Sequence, residues 1–229
     1  MTKNAQIICS ASVVAANLAR LQDDLCALQA AGCDELHFDV GDGVFVPGFG
    51  LGIEVIEAVK SCCSLPCCVH LLVQKPEDHI ARFVQAGCSI ITVHVEAAVH
   101  AHRLLNQIRD LGASPGIAIN PATPLTKLDY LLDYVDRVLF MVSDGNHATR
   151  SLQRNAYERI KILKDNIAYR ELAAKIEIGE DVSVQEAALF ARAGAEVFDL
   201  GKRSLFKDAN IGQNMASFRS DLAHQTRLA

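Results

Sequence analysis

No stretch of this 229-residue sequence approaches the roughly 18 consecutive apolar residues that a membrane helix needs. The opening "MTKNAQIICS" also lacks the basic, then apolar, then small-residue order of a secretory signal, so a cytosolic protein with no membrane partner is expected. A basic stripe is missing too. The formal net charge is −5 and the lysines and arginines are scattered, which argues against a nucleic-acid partner. Eight cysteines are present, but not the two C-x-x-C pairs of a zinc knuckle. "SCCSLPCCVH" crowds Cys62, Cys63, Cys67 and Cys68 as vicinal pairs, and Cys9, Cys26, Cys33 and Cys88 occupy apolar positions. All eight read as reduced core and surface residues. No linker or low-complexity tract divides the chain. With 50% of its residues hydrophobic and 21% charged, it is expected to form one domain over residues 1–229 with a large core.

What the sequence does contain is a repeated phrase. "LQAAGCDELHFDV", "FVQAGCSIITVHV", "IRDLGASPGIAIN" and "FARAGAEVFDLG" each run from an amphipathic helix through a glycine into a short β-rich segment. Glycine just past the last helical residue supplies a left-handed C-cap. The near-continuous apolar run that follows suits a strand buried on both faces. Strands are predicted near 7–14, 34–40, 66–73, 89–95, 115–120, 137–142, 175–179 and 196–201, with helix-like segments between each pair. Eight strands in 229 residues is about 28 residues per βα unit, which fits an α/β fold of the (β/α)8 TIM-barrel type. An open doubly wound sheet fits less well, because no G-x-G-x-x-G follows the first strand.

In such a barrel the chemistry sits at the C-terminal ends of the strands. Those ends are rich in polar groups: Ser12, His37 and Asp39, His70, His94 and Glu96, Asn120, Ser143 and Asp144, Glu177 with Glu180 and Asp181, then Asp199 and Lys202. Residues i and i+2 of a strand share a face, so His37 and Asp39 point the same way and His70 on the next strand can converge on them. Two imidazoles and a carboxylate make a partial shell for zinc or, with more oxygen ligands, for iron or manganese. "DVGDGVFVPGFG" is expected to form a loop over the mouth, turned at Asp42 and Gly43, stiffened by Pro47 and loosened by Gly48 and Gly50.

The phrases "ASVVAANLARL", "LHFDVGDGVFVPGFGLG", "LPCCVHLLVQKPEDHI", "AGCSIITVHVEA", "GIAINPATPL" and "VLFMV" resemble, in order and spacing over nearly the whole chain, the ribulose-phosphate 3-epimerase family. That resemblance implies a ribulose-phosphate-binding barrel with one divalent metal, commonly zinc, iron or manganese, held by two histidines and two aspartates. It also suggests a homo-oligomer. His37, Asp39 and His70 match three of the ligand positions. Asp39 also matches a general base, Ser12 and Met141 match substrate-contacting positions, and His70 lies beside the substrate as well. The implied chemistry removes a proton α to a ketose carbonyl, holds the enediolate and returns the proton on the other face, with a carboxylate on each side.

The second half of the pattern departs from the family. "IEIGEDVS" stands where the family has I-E-V-D-G-G, so Gly179 falls at the fourth ligand and second acid/base, and two glycines become Glu180 and Asp181. Carboxylates there would repel a phosphate dianion. "MVSDGNHATRSL" replaces a G-F-G-G-Q phosphate loop, and "LGKRSLF" keeps Gly201 but adds Lys202 and Arg203, two cations able to hold a phosphate or carboxylate. A metal-dependent epimerase acting on a sugar or sugar phosphate other than ribulose 5-phosphate is therefore expected. Asp39 would be one base and Asp199 the first candidate opposite, with Glu177, Glu180 and Asp181 behind it. An ion pair of Asp199 with Lys202 or Arg203 is an equally ready reading. A one-base aldose–ketose isomerase tolerates Gly179, and a barrel that only binds a ligand is the reading from another class.

Overall fold

The computed structural model describes residues 7–143 and 155–227. Eight strands run in parallel: β1 Ile8–Ser12, β2 Glu35–Gly41, β3 Cys67–Leu72, β4 Cys88–His94, β5 Ser114–Ile119, β6 Arg137–Phe140, β7 Lys175–Ile178 and β8 Val197–Leu200. They hydrogen-bond in sequence order, and β1 pairs with β8, so the sheet closes into a barrel. The helices are α1 Leu21–Ala30, α2 Ile53–Cys62, α3 Ile80–Gln85, α4 Ala101–Asp110, α5 Ala156–Tyr169, α6 Val184–Ala193 and α7 Ile211–Arg227. This is the (β/α)8 architecture expected from the repeated phrase. The glycines at its four junctions, Gly32, Gly87, Gly112 and Gly194, all have positive φ, between +73° and +111°. That left-handed conformation is the reason each helix stops there.

One expected helix is absent. Between β5 and β6 the chain makes only two 3-10 turns, Leu125–Leu128 and Leu132–Tyr134. The run between Pro124 and β6 is short, and it is spent on these two turns. Among the described residues no helix is long and apolar enough to cross a membrane, and none of the eight cysteines is paired. Burial pushes the thiols of Cys9, Cys33 and Cys88 up to about 12, which keeps them protonated and inert.

The two-residue period of the strands divides the core. In β2, Leu36 and Phe38 are buried against the helices, and so are Val138 and Phe140 in β6, Ile176 and Ile178 in β7, and Phe198 and Leu200 in β8. The intervening residues, Glu35, His37, Arg137, Glu177 and Asp199, are equally buried but polar, and they meet one another inside the barrel. An interior built from ionisable groups requires each to have a partner, because an isolated buried charge is costly.

Candidate active site

At the lower end of this interior, the Arg137 guanidinium donates to Glu35 Oε2 at 3.0 Å and to Glu177 Oε2 at 3.4 Å. The Cys68 sulfur is also within 3.6 Å. Two carboxylates around one guanidinium hold its pKa well above the ordinary arginine value despite burial. Glu177 is a strand residue with a second oxygen to spare. Its Oε1 lies 3.3 Å from His37 Nδ1, and Asp199 Oδ1 lies 3.2 Å from the same nitrogen. His37 Nδ1, Glu177 Oε1 and Asp199 Oδ1 are buried without a hydrogen bond of good geometry. Burial pushes Glu177 up, but Arg137 and then His37 outweigh it and hold the carboxyl at about 2. Asp199 is displaced the other way, upward, by burial first and by the Glu177 charge beside it, against the pull of His37.

On its other edge His37 turns toward the barrel mouth. Asp39 Oδ1 is 3.1 Å from His37 Nε2 and 3.0 Å from His70 Nδ1, so the three residues predicted to converge do so. Asp39 is the open member, with 31% of its side chain exposed against 3% for His37 and 2% for His70. Burial raises the Asp39 carboxyl, but the charge and hydrogen bond of His37, joined by those of His70, hold it well below the usual carboxylate range. His70 is pulled down to about 4, chiefly by burial. Its Nε2 lies 2.8 Å from His94 Nε2, and His94 Nδ1 lies 3.0 Å from Glu96 Oε2. Glu96 also accepts from the Asn120 N–H at 2.8 Å and from the Thr123 hydroxyl. A continuous polar chain therefore runs from β8 and β7 through β2 and β3 to β4.

The loop after β2 closes over this chain. Asp42 Oδ1 accepts the N–H groups of Val44 and Phe45, both at 2.8 Å, and its Oδ2 accepts that of Gln74 at 2.8 Å. The loop then returns along β2, where the Gly41 N–H bonds Phe49 O and the Leu51 N–H bonds Asp39 O. Phe45 is carried across to His94, with ring centroids 4.8 Å apart. The expectation that Gly50 loosens the loop is corrected here. Gly50 has φ +59°, and a Cβ on it would collide with the Asp39 carbonyl oxygen, so glycine here permits a close, fixed return.

The other predicted positions are distributed around the mouth. Ser12 ends β1 in register with His37. Gly179 faces Leu139 and Met141: a Cβ there would collide with Leu139 Cδ2 and lie 3.0 Å from Met141 Sδ. Among the described residues no carboxylate occupies that space; Leu139 of β6 and Met141 just after it lie there. The β7–β8 register of Glu177 with Val197 and Ile178 with Phe198 brings Asp199 alongside Gly179, one strand over. Asp199 meets His37, whereas the Arg203 guanidinium bonds Glu186 at 2.7 Å and the Asp181 carbonyl at 3.1 Å, and Lys202 is exposed. Glu180 accepts the Ser143 hydroxyl at 2.8 Å. Asp181 accepts the Gly201 N–H at 2.8 Å. Asp144 and the rest of "DGNHATRSL" up to residue 152 lie outside the described residues. Arg137 and the pairing of His94 with His70 were not expected. An arginine at the first position of a strand reads as solvated, and contacts between strands leave no local signal.

The profile of the Ribulose-phosphate 3 epimerase family matches residues 8–205. This chain belongs to the ribulose-phosphate 3-epimerase family. It is 37% identical over 197 residues to the chloroplastic ribulose-5-phosphate-3-epimerase of Arabidopsis thaliana, covering 85% of this chain and 70% of that one. It is 32% identical over 231 residues to the ribulose-phosphate 3-epimerase of Synechocystis, covering 100% and 99%. With the Escherichia coli enzyme of the same name the identity is 32% over 219 residues, covering 95% and 97%. Among solved structures, 3-keto-L-gulonate-6-phosphate decarboxylase from Vibrio cholerae superposes with a TM-score of 0.69 at 14% identity, covering 96% and 98% of the two chains. That likeness concerns the barrel alone. Membership in an epimerase family supports a carbohydrate epimerase, which is by definition an isomerase.

Proposed function

We propose that this family member is a metal-assisted epimerase in which Asp39 removes the proton next to a ketose carbonyl, on a sugar or sugar phosphate other than ribulose 5-phosphate. The observation that carries the reading is the convergence of His37 Nε2 and His70 Nδ1 on Asp39 Oδ1, at 3.1 and 3.0 Å. With a cation among His37 Nε2, Asp39 and His70 Nδ1, those two nitrogens offer lone pairs and their hydrogens sit on His37 Nδ1 and His70 Nε2. His37 then points its N–H at Glu177 and Asp199. His70 donates to His94, which donates from Nδ1 to Glu96.

If His70 is neutral and donates to Asp39 instead, its Nε2 must accept from His94 Nε2. That leaves a bare His94 Nδ1 against Glu96, which His94 and Thr123 hold down at about 2 despite burial and so keep ionised. The donor set thus fits a divalent cation such as zinc, iron or manganese, held by His37, Asp39 and His70, whose ligand atoms all lie within 4.8 Å of one another. His37, Glu177 and Asp199 form a second group of similar spacing. It lies deeper in the barrel, with all three members buried.

When bound, the cation supplies positive charge for the oxyanion that develops on the ketose oxygen. Asp39, ionised and half-open, accepts the proton from the adjacent carbon. Asp199, whose carboxyl is pushed up by burial and by Glu177, is the donor that returns one on the opposite face, and Ser12 and Met141 border the sugar. A substrate unlike ribulose 5-phosphate is supported by Leu139 in the space at Gly179 and by the carboxylates of Glu180 and Asp181 on the β7 loop. The deep burial of Asp199 favours a second reading, in which Asp39 alone shuttles the proton between adjacent carbons as an aldose–ketose isomerase. Deuterium incorporation from D2O into a panel of ketoses, with and without terminal phosphates, tests both. Asp199→Asn should keep exchange and lose the epimeric product if Asp199 is the donor. Unchanged product supports the one-base isomerase. A panel with no exchange at all leaves only ligand binding.

A further inference from the structure

The loop after β7 and the loop after β8 are joined through one carboxylate. Asp181 Oδ1 accepts the Gly201 N–H at 2.8 Å and the Ser204 hydroxyl at 3.2 Å, while Oδ2 accepts the Arg203 N–H at 2.7 Å. Two backbone donors and a hydroxyl converging on one anion make a small anion seat. Its floor is Gly201, where a Cβ would stand only 2.8 Å from Asp181 Cγ. Gly201 follows β8 directly and Asp181 lies two residues beyond Gly179 at the end of β7. In barrels of this kind, the loops after strands seven and eight are where a substrate phosphate is frequently held.

We infer that Asp181 is a built-in substitute for a substrate phosphate, and that it restricts the protein to unphosphorylated sugars. A carboxylate seated on the N–H groups of Gly201 and Arg203 uses the donors a phosphate would need and sets a fixed negative charge at the same place. An incoming dianion finds those donors taken by a carboxylate. The Arg203 guanidinium is turned aside, bonded to Glu186 and to the Asp181 carbonyl. The uncharged end of a free ketose loses nothing here, because hydroxyls do not need a cationic seat. Asp181 is in this sense a specificity-determining residue. The inference rests on the ketose-epimerase reading for the name of the substrate, although the seat itself is independent of any reaction.

Titration of the full-length protein with inorganic phosphate, followed by calorimetry, separates the two claims. The wild type should show no saturable binding. Asp181→Gly vacates two N–H donors, and it should bind phosphate at least about tenfold more tightly, the worth of a single hydrogen bond to a charged group. In parallel, a ketopentose and a ketohexose, each with and without its terminal phosphate, are compared for deuterium exchange by the wild type, with free sugars expected to exchange faster. Phosphate binding by the wild type as strong as by Asp181→Gly, or faster exchange of the phosphorylated sugars, overturns the inference. If Asp181→Gly fails to fold, Asp181→Ser serves for the binding arm. Gain of phosphate binding with no exchange of any sugar upholds the seat and removes the epimerase reading instead.

Discussion

Among the described residues Arg137 is the one buried guanidinium, and Glu35 and Glu177 both depend on it. Removing one partner of a buried charged cluster leaves the others uncompensated, and that costs more than the cluster contributes when intact. Arg137→Met should therefore lower stability by about 3–5 kcal/mol in urea unfolding, and by shifting Glu177 it should also loosen His37. A loss under about 1 kcal/mol, in the range of an exposed pair, would show that water reaches the cluster. The contrast with His37 and Asp39 marks what a sequence discloses at this scale. Two polar residues at i and i+2 in an apolar strand declare a shared inward face. Arg137 opens its strand at "DRVLF", and only the closed barrel reveals that Glu35, 102 positions away, lies against it.

At the scale of elements, β6, β7 and β8 meet at the end of β7. The inward position just past β7 is Gly179, its space is bordered by Leu139 of β6 and Met141 just after it, and the inward carboxylate of the neighbouring strand β8 is Asp199. Restoring an aspartate at position 179 should not restore a family-like site. Gly179→Asp must displace Leu139 and is expected to cost about 1–3 kcal/mol, as overpacking does. Leu139→Ala should recover part of that loss in the double variant, a coupling that thermal denaturation of the four proteins of the cycle would measure. Additive effects would mean that Leu139 is not what blocks the position. The strands and the helix-ending glycines were legible because period and C-cap chemistry are local signals. The bare connection between β5 and β6 was misread because its leucines keep a helical spacing over too few residues, with prolines at the start. Leu139 in the gap was illegible, since strand-to-strand packing depends on register.

For the whole molecule, a cation held by residues of β2 and β3 binds only the folded chain, so it should add to global stability by mass action. Removing it with a chelator should lower the unfolding temperature, with stabilisation of about 2.7 kcal/mol when free metal stands at a hundred times its dissociation constant. Restoring zinc, iron or manganese should reverse the shift in the wild type and not in His37→Ala or His70→Ala. A wild type indifferent to both chelator and metal would remove the cation from the site. The most direct test of the epimerase reading is solvent deuterium exchange into ketoses by the metal-replete protein, compared with Asp39→Asn. The wild type should incorporate deuterium at the carbon next to the carbonyl, and Asp39→Asn should be slower by roughly 10²–10⁴-fold, the contribution of a positioned base. Equal exchange by the two proteins would contradict the assignment of Asp39 as the base.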